Sequence, residues 1–68
     1  MAYRWLYTQN KGAAFYQNGN YLYSAKTNQC EYCEQKGYIY PLSGGDAVFY
    51  VKDIWVYTMA GADAYYYA

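Results

Sequence analysis

Phe15-Tyr16-Gln17-Asn18-Gly19-Asn20-Tyr21-Leu22-Tyr23 sets an Asn-Gly pair between two short aromatic runs, and its reading decides the fold. Asn-Gly between strand-forming residues is the strongest short-range hairpin signal, because a tight turn needs positive φ at both loop positions. A turn centred on Asn18-Gly19 predicts a register in which Tyr16 faces Tyr21, Phe15 faces Leu22 and Ala14 faces Tyr23.

Working outward, the arm Tyr21-Leu22-Tyr23-Ser24 recurs as Trp5-Leu6-Tyr7-Thr8, Tyr38-Ile39-Tyr40-Pro41 and Trp55-Val56-Tyr57-Thr58, with starts 16, 17 and 17 residues apart. The other arm, Ala13-Ala14-Phe15-Tyr16, recurs in step as Cys30-Glu31-Tyr32-Cys33, Ala47-Val48-Phe49-Tyr50 and Ala64-Tyr65-Tyr66-Tyr67. In the last two units Leu42-Ser43-Gly44-Gly45-Asp46-Ala47 aligns without gaps on Met59-Ala60-Gly61-Ala62-Asp63-Ala64. Self-similarity at a fixed period marks a repeat architecture. The expected organisation is one domain, 1–68, of repeats 5–20, 21–37, 38–54 and 55–68.

Each arm is rich in Tyr, Trp, Val, Ile and Phe and is bounded by Gly, Asn, Asp, Ser or Pro, which is the signature of a short strand. No helical period is present, so the fold class is all-β: an antiparallel meander of about eight short strands made of four hairpin repeats of about 17 residues. The equivalent turns centre on Gln35-Lys36 and Lys52-Asp53, so Cys33 is expected to face Tyr38 and Tyr50 to face Trp55. Two architectures satisfy this pattern: a small closed barrel, or an open sheet covered by a partner chain.

Alternation along the strands sorts the side chains by face. One face collects Leu6, Leu22, Ile39 and Val56, then Phe15, Tyr32, Phe49 and Tyr66, then the small Ala13, Cys30, Ala47 and Ala64. These sets of four suit the interior of an eight-stranded barrel, which side chains just fill. The opposite face collects Trp5, Tyr7, Tyr16, Tyr21, Tyr23, Tyr38, Tyr40, Tyr50, Trp55, Tyr57, Tyr65 and Tyr67. A contiguous apolar patch of that kind marks an interface or a ligand platform.

Sixty-eight residues bury only about 60% of the surface of the unfolded chain, so a supplement to the core is expected. With two cysteines and no histidine, one disulfide is the most the chain could form and no metal site or cofactor is expected, which leaves self-association. Five basic and five acidic residues cancel, so no long-range field draws in nucleic acid or an anionic membrane. The start Met1-Ala2-Tyr3-Arg4 lacks an export signal and no run approaches the roughly 20 apolar residues of a membrane-spanning helix. A cytoplasmic location is expected.

The C-x-x-C of Cys30-Glu31-Tyr32-Cys33 has the spacing of half a zinc site or a redox pair. On a strand, however, residues three apart point to opposite faces, so Cys30 reads as a small core residue and Cys33 as the replacement of an outer tyrosine. Asp46 and Asp63 occupy matching loop positions and Asp53 a turn, as repeated turn chemistry requires. No nucleophile stands beside a base, and catalysis is not expected.

Phe15-Tyr16-Gln17-Asn18-Gly19-Asn20-Tyr21-Leu22-Tyr23 is similar to the aromatic hairpin repeats of choline-binding cell-wall modules. The similarity ends at hairpins carrying aromatics. The Gly-Trp openings and longer unit of that family are missing, so no binding residues carry over. The sequence therefore predicts a non-catalytic, tyrosine-rich module that forms a homo-oligomer through its aromatic face. The alternative is an aromatic platform for a carbohydrate or a quaternary-ammonium ligand; single-stranded nucleic acid suits the rings but not the neutral charge.

Overall fold

The computed structural model describes residues 3–10 and 12–67. Expectations that fall on Met1, Ala2, Lys11 and Ala68 lie outside the described residues. The eight strands are β1 (Arg4–Thr8), β2 (Gly12–Asn18), β3 (Tyr21–Ser24), β4 (Cys30–Gln35), β5 (Tyr38–Pro41), β6 (Phe49–Lys52), β7 (Trp55–Thr58) and β8 (Asp63–Tyr67). Each pairs antiparallel with its sequence neighbours, and β8 returns to β1 through Leu6↔Tyr67 and Tyr7↔Tyr66. Of the two architectures open to the sequence, the closed barrel is the one found.

The turns fall one residue later than expected, which shifts the strand pairing by two. Asn18 pairs with Tyr21, Gln35 with Tyr38 and Lys52 with Trp55, so the two-residue loops are Gly19-Asn20, Lys36-Gly37 and Asp53-Ile54. Tyr16 therefore opposes Tyr23 rather than Tyr21, Phe15 opposes Ser24 rather than Leu22, Cys33 opposes Tyr40 rather than Tyr38, and Tyr50 opposes Tyr57 rather than Trp55. Lys36 and Gly37 both take positive φ, 55° and 85°, as a type I′ turn requires, whereas Gly19-Asn20 and Asp53-Ile54 take positive φ only at the first position, 64° and 58°. A slip of two does not by itself move any side chain to the other face, because the strand period is two. It also lengthens each hairpin by one interior pair: Gln17 opposite Leu22, Glu34 opposite Ile39 and Val51 opposite Val56.

Two inner layers make the core. Leu6, Leu22, Ile39 and Val56, from the odd-numbered strands, are all 2% exposed or less. Beside them Phe15, Tyr32, Phe49 and Tyr65, from the even-numbered strands, form a closed cycle of rings. Successive centroids are 5.5, 5.8, 5.5 and 5.3 Å apart and the interplanar angles are 82°, 76°, 70° and 87°. Every contact in the cycle is edge to face, the arrangement aromatic quadrupoles favour.

The fourth unit corrects the sequence reading. Tyr65 is the inward ring opposite Val56, and Tyr66, expected inside, lies opposite Trp55 on the outer face. Nine positions separate Val56 from Tyr65 where ten separate Ile39 from Phe49, so the gapless alignment of the last two units is off by one. One residue is enough to turn a strand over. Asp63, expected to match Asp46 in a loop, accordingly opens β8 opposite Tyr57, where Cys30 stands opposite Tyr23 and Ala13 opposite Tyr7. The small residues are not a core layer either: Ala13 is exposed, and Cys30, Ala47 and Ala64 are only half-buried at one mouth of the barrel. The layer that closes the other end is Gln17, Glu34, Val51 and Tyr67, supplied by the extra hairpin pair and by the end of β8.

Phe15→Ala breaks two of the four ring contacts and is expected to cost about 3–5 kcal/mol. At roughly 0.05–0.15 kcal/mol per residue the 68 residues hold about 3–10 kcal/mol in total, so the substitution removes about a third of it or more. Leu42→Ala, at a side chain 48% exposed, should cost under about 0.5 kcal/mol. Urea denaturation followed by circular dichroism compares the two, and a Phe15→Ala midpoint close to the parent's would show that the ring cycle does not hold the barrel.

Candidate functional site

Outside the barrel the paired strands line the aromatic side chains up in four rows. Trp5, Tyr16 and Tyr23 cross β1–β2–β3; Tyr21, Cys33 and Tyr40 cross β3–β4–β5; Tyr38, Tyr50 and Tyr57 cross β5–β6–β7; and Trp55, Tyr66 and Tyr7 cross β7–β8–β1. Cys33 holds the middle place that a tyrosine holds in the other three rows. Tyr16 and Tyr23 are stacked at 5.2 Å with planes 9° apart, and Tyr16 also contacts Trp5 at 5.4 Å and Tyr3 at 5.2 Å. Tyr66 joins Trp55 at 5.7 Å to Tyr7 at 5.9 Å, and Tyr50 contacts Tyr57 at 5.2 Å.

The leading residue of each row, Trp5, Tyr21, Tyr38 or Trp55, is 38–50% exposed, and Tyr7, Tyr16, Tyr23, Tyr40, Tyr50 and Tyr57 are half-buried among their neighbours. Ten of the twelve expected outer residues thus form one belt. Tyr65 and Tyr67 do not belong to it, since the one-residue shortening of the fourth unit turns both inward. Tyr66 and Tyr3 take part instead. A run of three consecutive tyrosines hides its own phase, and the spacing of nine between Leu6 and Phe15 was the one sequence signal for the correct frame.

Comparison with known proteins brings no match. No family model fits the chain, and neither does any curated protein or solved structure. Function has to be read from the surfaces themselves.

The two ends of the barrel differ. At the end carrying the tight turns, the Tyr67 hydroxyl donates to Gln17 Oε1 at 2.7 Å, and Gln17 Nε2 donates to Glu34 Oε1 at 2.6 Å and to the Gly19 carbonyl at 3.0 Å. The Arg4 guanidinium carbon lies 3.8 Å from the centre of the Tyr67 ring. Gln17 and Tyr67 are 6% and 2% exposed, so this is a polar plug with its hydrogen bonds made, which is what burial of polar groups requires. Sequence reasoning missed it because Gln17 and Glu34 look like ordinary turn-flanking residues.

At the opposite end the ladders carry bulges. The register shifts between Leu6 and Tyr7, Leu22 and Tyr23, and Val56 and Tyr57, leaving Ala14, Glu31 and Ala64 as the extra residues on the facing strands. A cavity of about 360 Å³ opens there above Phe15 and Tyr65, walled by Ala13 and Ala14 and reached by Glu31 and Lys26. Burial pushes the Tyr65 hydroxyl above its ordinary range, with further contributions from Tyr32 and the Glu31 carboxylate.

Both cysteines are free. Burial pushes the Cys30 thiol up, and its S–H donates to the Tyr32 carbonyl at 3.6 Å. Among the described residues no cluster of three or more Cys, Asp or Glu could hold a metal ion.

Burial, reinforced by Glu34 and opposed by Arg4, pushes Tyr67 up to about 12 from the ordinary 10.0. The folded barrel therefore holds this proton more tightly than the unfolded chain does. The resulting stabilisation is complete below pH 10 and is lost as pH climbs through about 12, a change on the order of 2 kcal/mol. Tyr67→Phe should lose about 1–3 kcal/mol at neutral pH, because Gln17 Oε1 is left without its donor, and should show a flatter decline in alkali. Urea midpoints measured across pH 8 to pH 12.5 (about two units either side of the ordinary value) make the comparison; parallel slopes in the two proteins would assign the alkaline loss to other groups.

Proposed function

We propose that the chain is a non-catalytic interaction module that associates with copies of itself through its outer aromatic belt. The observation that carries this reading is the leading position of each row: Trp5, Tyr21, Tyr38 and Trp55 remain 38–50% exposed in a chain whose apolar interior is already complete. Tyr3 and Ile54 add exposures of 48% and 50%. Large apolar groups left in water in this number are the ordinary mark of a surface that is covered in use.

Closure of the barrel narrows how the covering can happen. Among the described residues no strand edge is free, so a partner cannot add a strand, and contact has to be made by side chains. The two tryptophans sit on β1 and β7, either side of β8, in adjoining rows that share β1 and hold Trp5, Tyr7, Tyr16, Trp55 and Tyr66. Trp and Tyr dominate the binding energy of protein interfaces, so the interface is centred on this side. Two copies meeting there across a twofold axis would each present the same patch.

The rings also favour a protein partner over a flat stacking platform for sugars. Tyr16 and Tyr23 spend their faces on each other, and Trp5, Trp55 and Tyr50 lean on neighbouring tyrosines. What such clusters offer outward is largely ring edges and hydroxyls, which interdigitate with another irregular surface.

Sedimentation equilibrium tests the reading. The parent should show a concentration-dependent dimer or higher symmetric species. Trp5→Ala and Trp55→Ala should each weaken it by about 2 kcal/mol, a factor of roughly 30 in Kd, while circular dichroism stays that of the folded barrel. A parent that remains monomeric up to millimolar concentration would overturn the proposal.

A further inference from the structure

We infer that the bulged mouth of the barrel is a binding site for a small zwitterion, a molecule carrying an ammonium and a carboxylate on a short apolar body. The site is distinct from the aromatic belt and does not depend on association.

The residues that build it follow from the bulges. A bulge re-aims the extra side chain, and two of the three bulges at this level bring theirs to the cavity lined by Phe15 and Tyr65. In the first unit the extra residue is Ala14, which leaves room above Phe15; in the second it is Glu31, which brings a carboxylate to the same space. The cavity of about 360 Å³ lies at the small end of the roughly 300–1,000 Å³ usual for ligand sites, and so suits a molecule of amino-acid size.

The wall opposite is held in place. The Ala25 N–H donates to the Ala14 carbonyl at 3.0 Å, fastening the 25–29 connection onto β2. Within that connection Ser24 Oγ accepts from the N–H groups of Lys26 at 3.2 Å and Thr27 at 3.3 Å, and the Asn28 N–H donates to the Ser24 carbonyl at 2.8 Å. The backbone from which Lys26 reaches the cavity is therefore ordered. Among the described residues Lys26 and Glu31 are the two charged ones that line it, and neither charge is taken up there by an ion pair or a hydrogen bond.

One cation and one anion at the rim of an apolar cavity complement a ligand of both signs. The ammonium lies toward Glu31 and the rings of Phe15 and Tyr65, where carboxylate and aromatic groups both favour a cation. The carboxylate lies toward Lys26, and the apolar body fills the space that Ala13 and Ala14 leave. Free amino acids and betaines share this chemistry, differing in whether the ammonium bears hydrogens or methyl groups.

The test is an NMR titration of the full chain, following the ring protons of Phe15 and Tyr65 and the methyls of Ala13 and Ala14. The probes are L-leucine, glycine betaine, choline as cation alone and butyrate as anion alone. Saturable shifts in the millimolar range are expected with leucine or betaine, and which of the two binds tighter identifies the kind of ammonium. Glu31→Gln and Lys26→Met should each weaken binding roughly threefold to tenfold, as one solvent-accessible charge contact allows. Ala13→Phe, a change at an exposed position, should abolish it by filling the cavity, and Trp5→Ala should leave it unchanged. The inference is overturned if neither zwitterion gives saturable shifts, if choline or butyrate binds as tightly as they do, or if folded Ala13→Phe binds normally.

Discussion

Four rings meeting edge to face at the centre of the barrel are the contact on which the rest of the structure depends. Phe15, Tyr32, Phe49 and Tyr65 come from alternate strands, so their cycle can close only if the sheet closes too. Each such pair contributes about 0.5–1.5 kcal/mol beyond the burial of its area. In a chain that hides little more than half of its unfolded surface, those contributions are a large share of the total. The aliphatic layer of Leu6, Leu22, Ile39 and Val56 fills the space between the rings and the polar plug.

Much of this was legible in the sequence, and the failures have physical causes. The odd-numbered strands were placed correctly because Leu6, Leu22, Ile39 and Val56 are each flanked by aromatics on both sides, a pattern with one reading in a strand. The even-numbered strand of the last unit was not, because Ala64-Tyr65-Tyr66-Tyr67 carries no contrast between neighbours and its frame had to be borrowed from a unit with a longer connection. Turn chemistry pointed to Asn18-Gly19, yet the hairpin closes on Gly19-Asn20. The longer pairing lets Gln17 bond both Tyr67 and Glu34 inside the barrel, contacts between distant units that a local signal cannot register.

The surfaces were legible in unequal measure. The outer belt needed only strand alternation, which is why ten of its members could be named in advance. The mouth could not be anticipated, since it rests on bulges that place Ala14 and Glu31 over the rings, and a bulge leaves no residue signature in strands of this length. Cys33 shows the same contrast: its substitution for a row tyrosine was plain from the repeat, while its setting between Tyr21 and Tyr40 required the true register.

The seam between β8 and β1 sets the order of events when the chain folds. Every other ladder joins strands adjacent in sequence, so those hairpins can form early and at small entropic cost. The last ladder, together with the Tyr67–Gln17 hydrogen bond across 50 positions, must wait for all of them. An unzipped meander would lack the Phe15–Tyr65 contact and expose two bare edges at once. Closing the ring therefore carries the largest loop-closure cost of any ladder in the fold, and an unclosed chain, with two bare edges, is the form open to pairing with a neighbour.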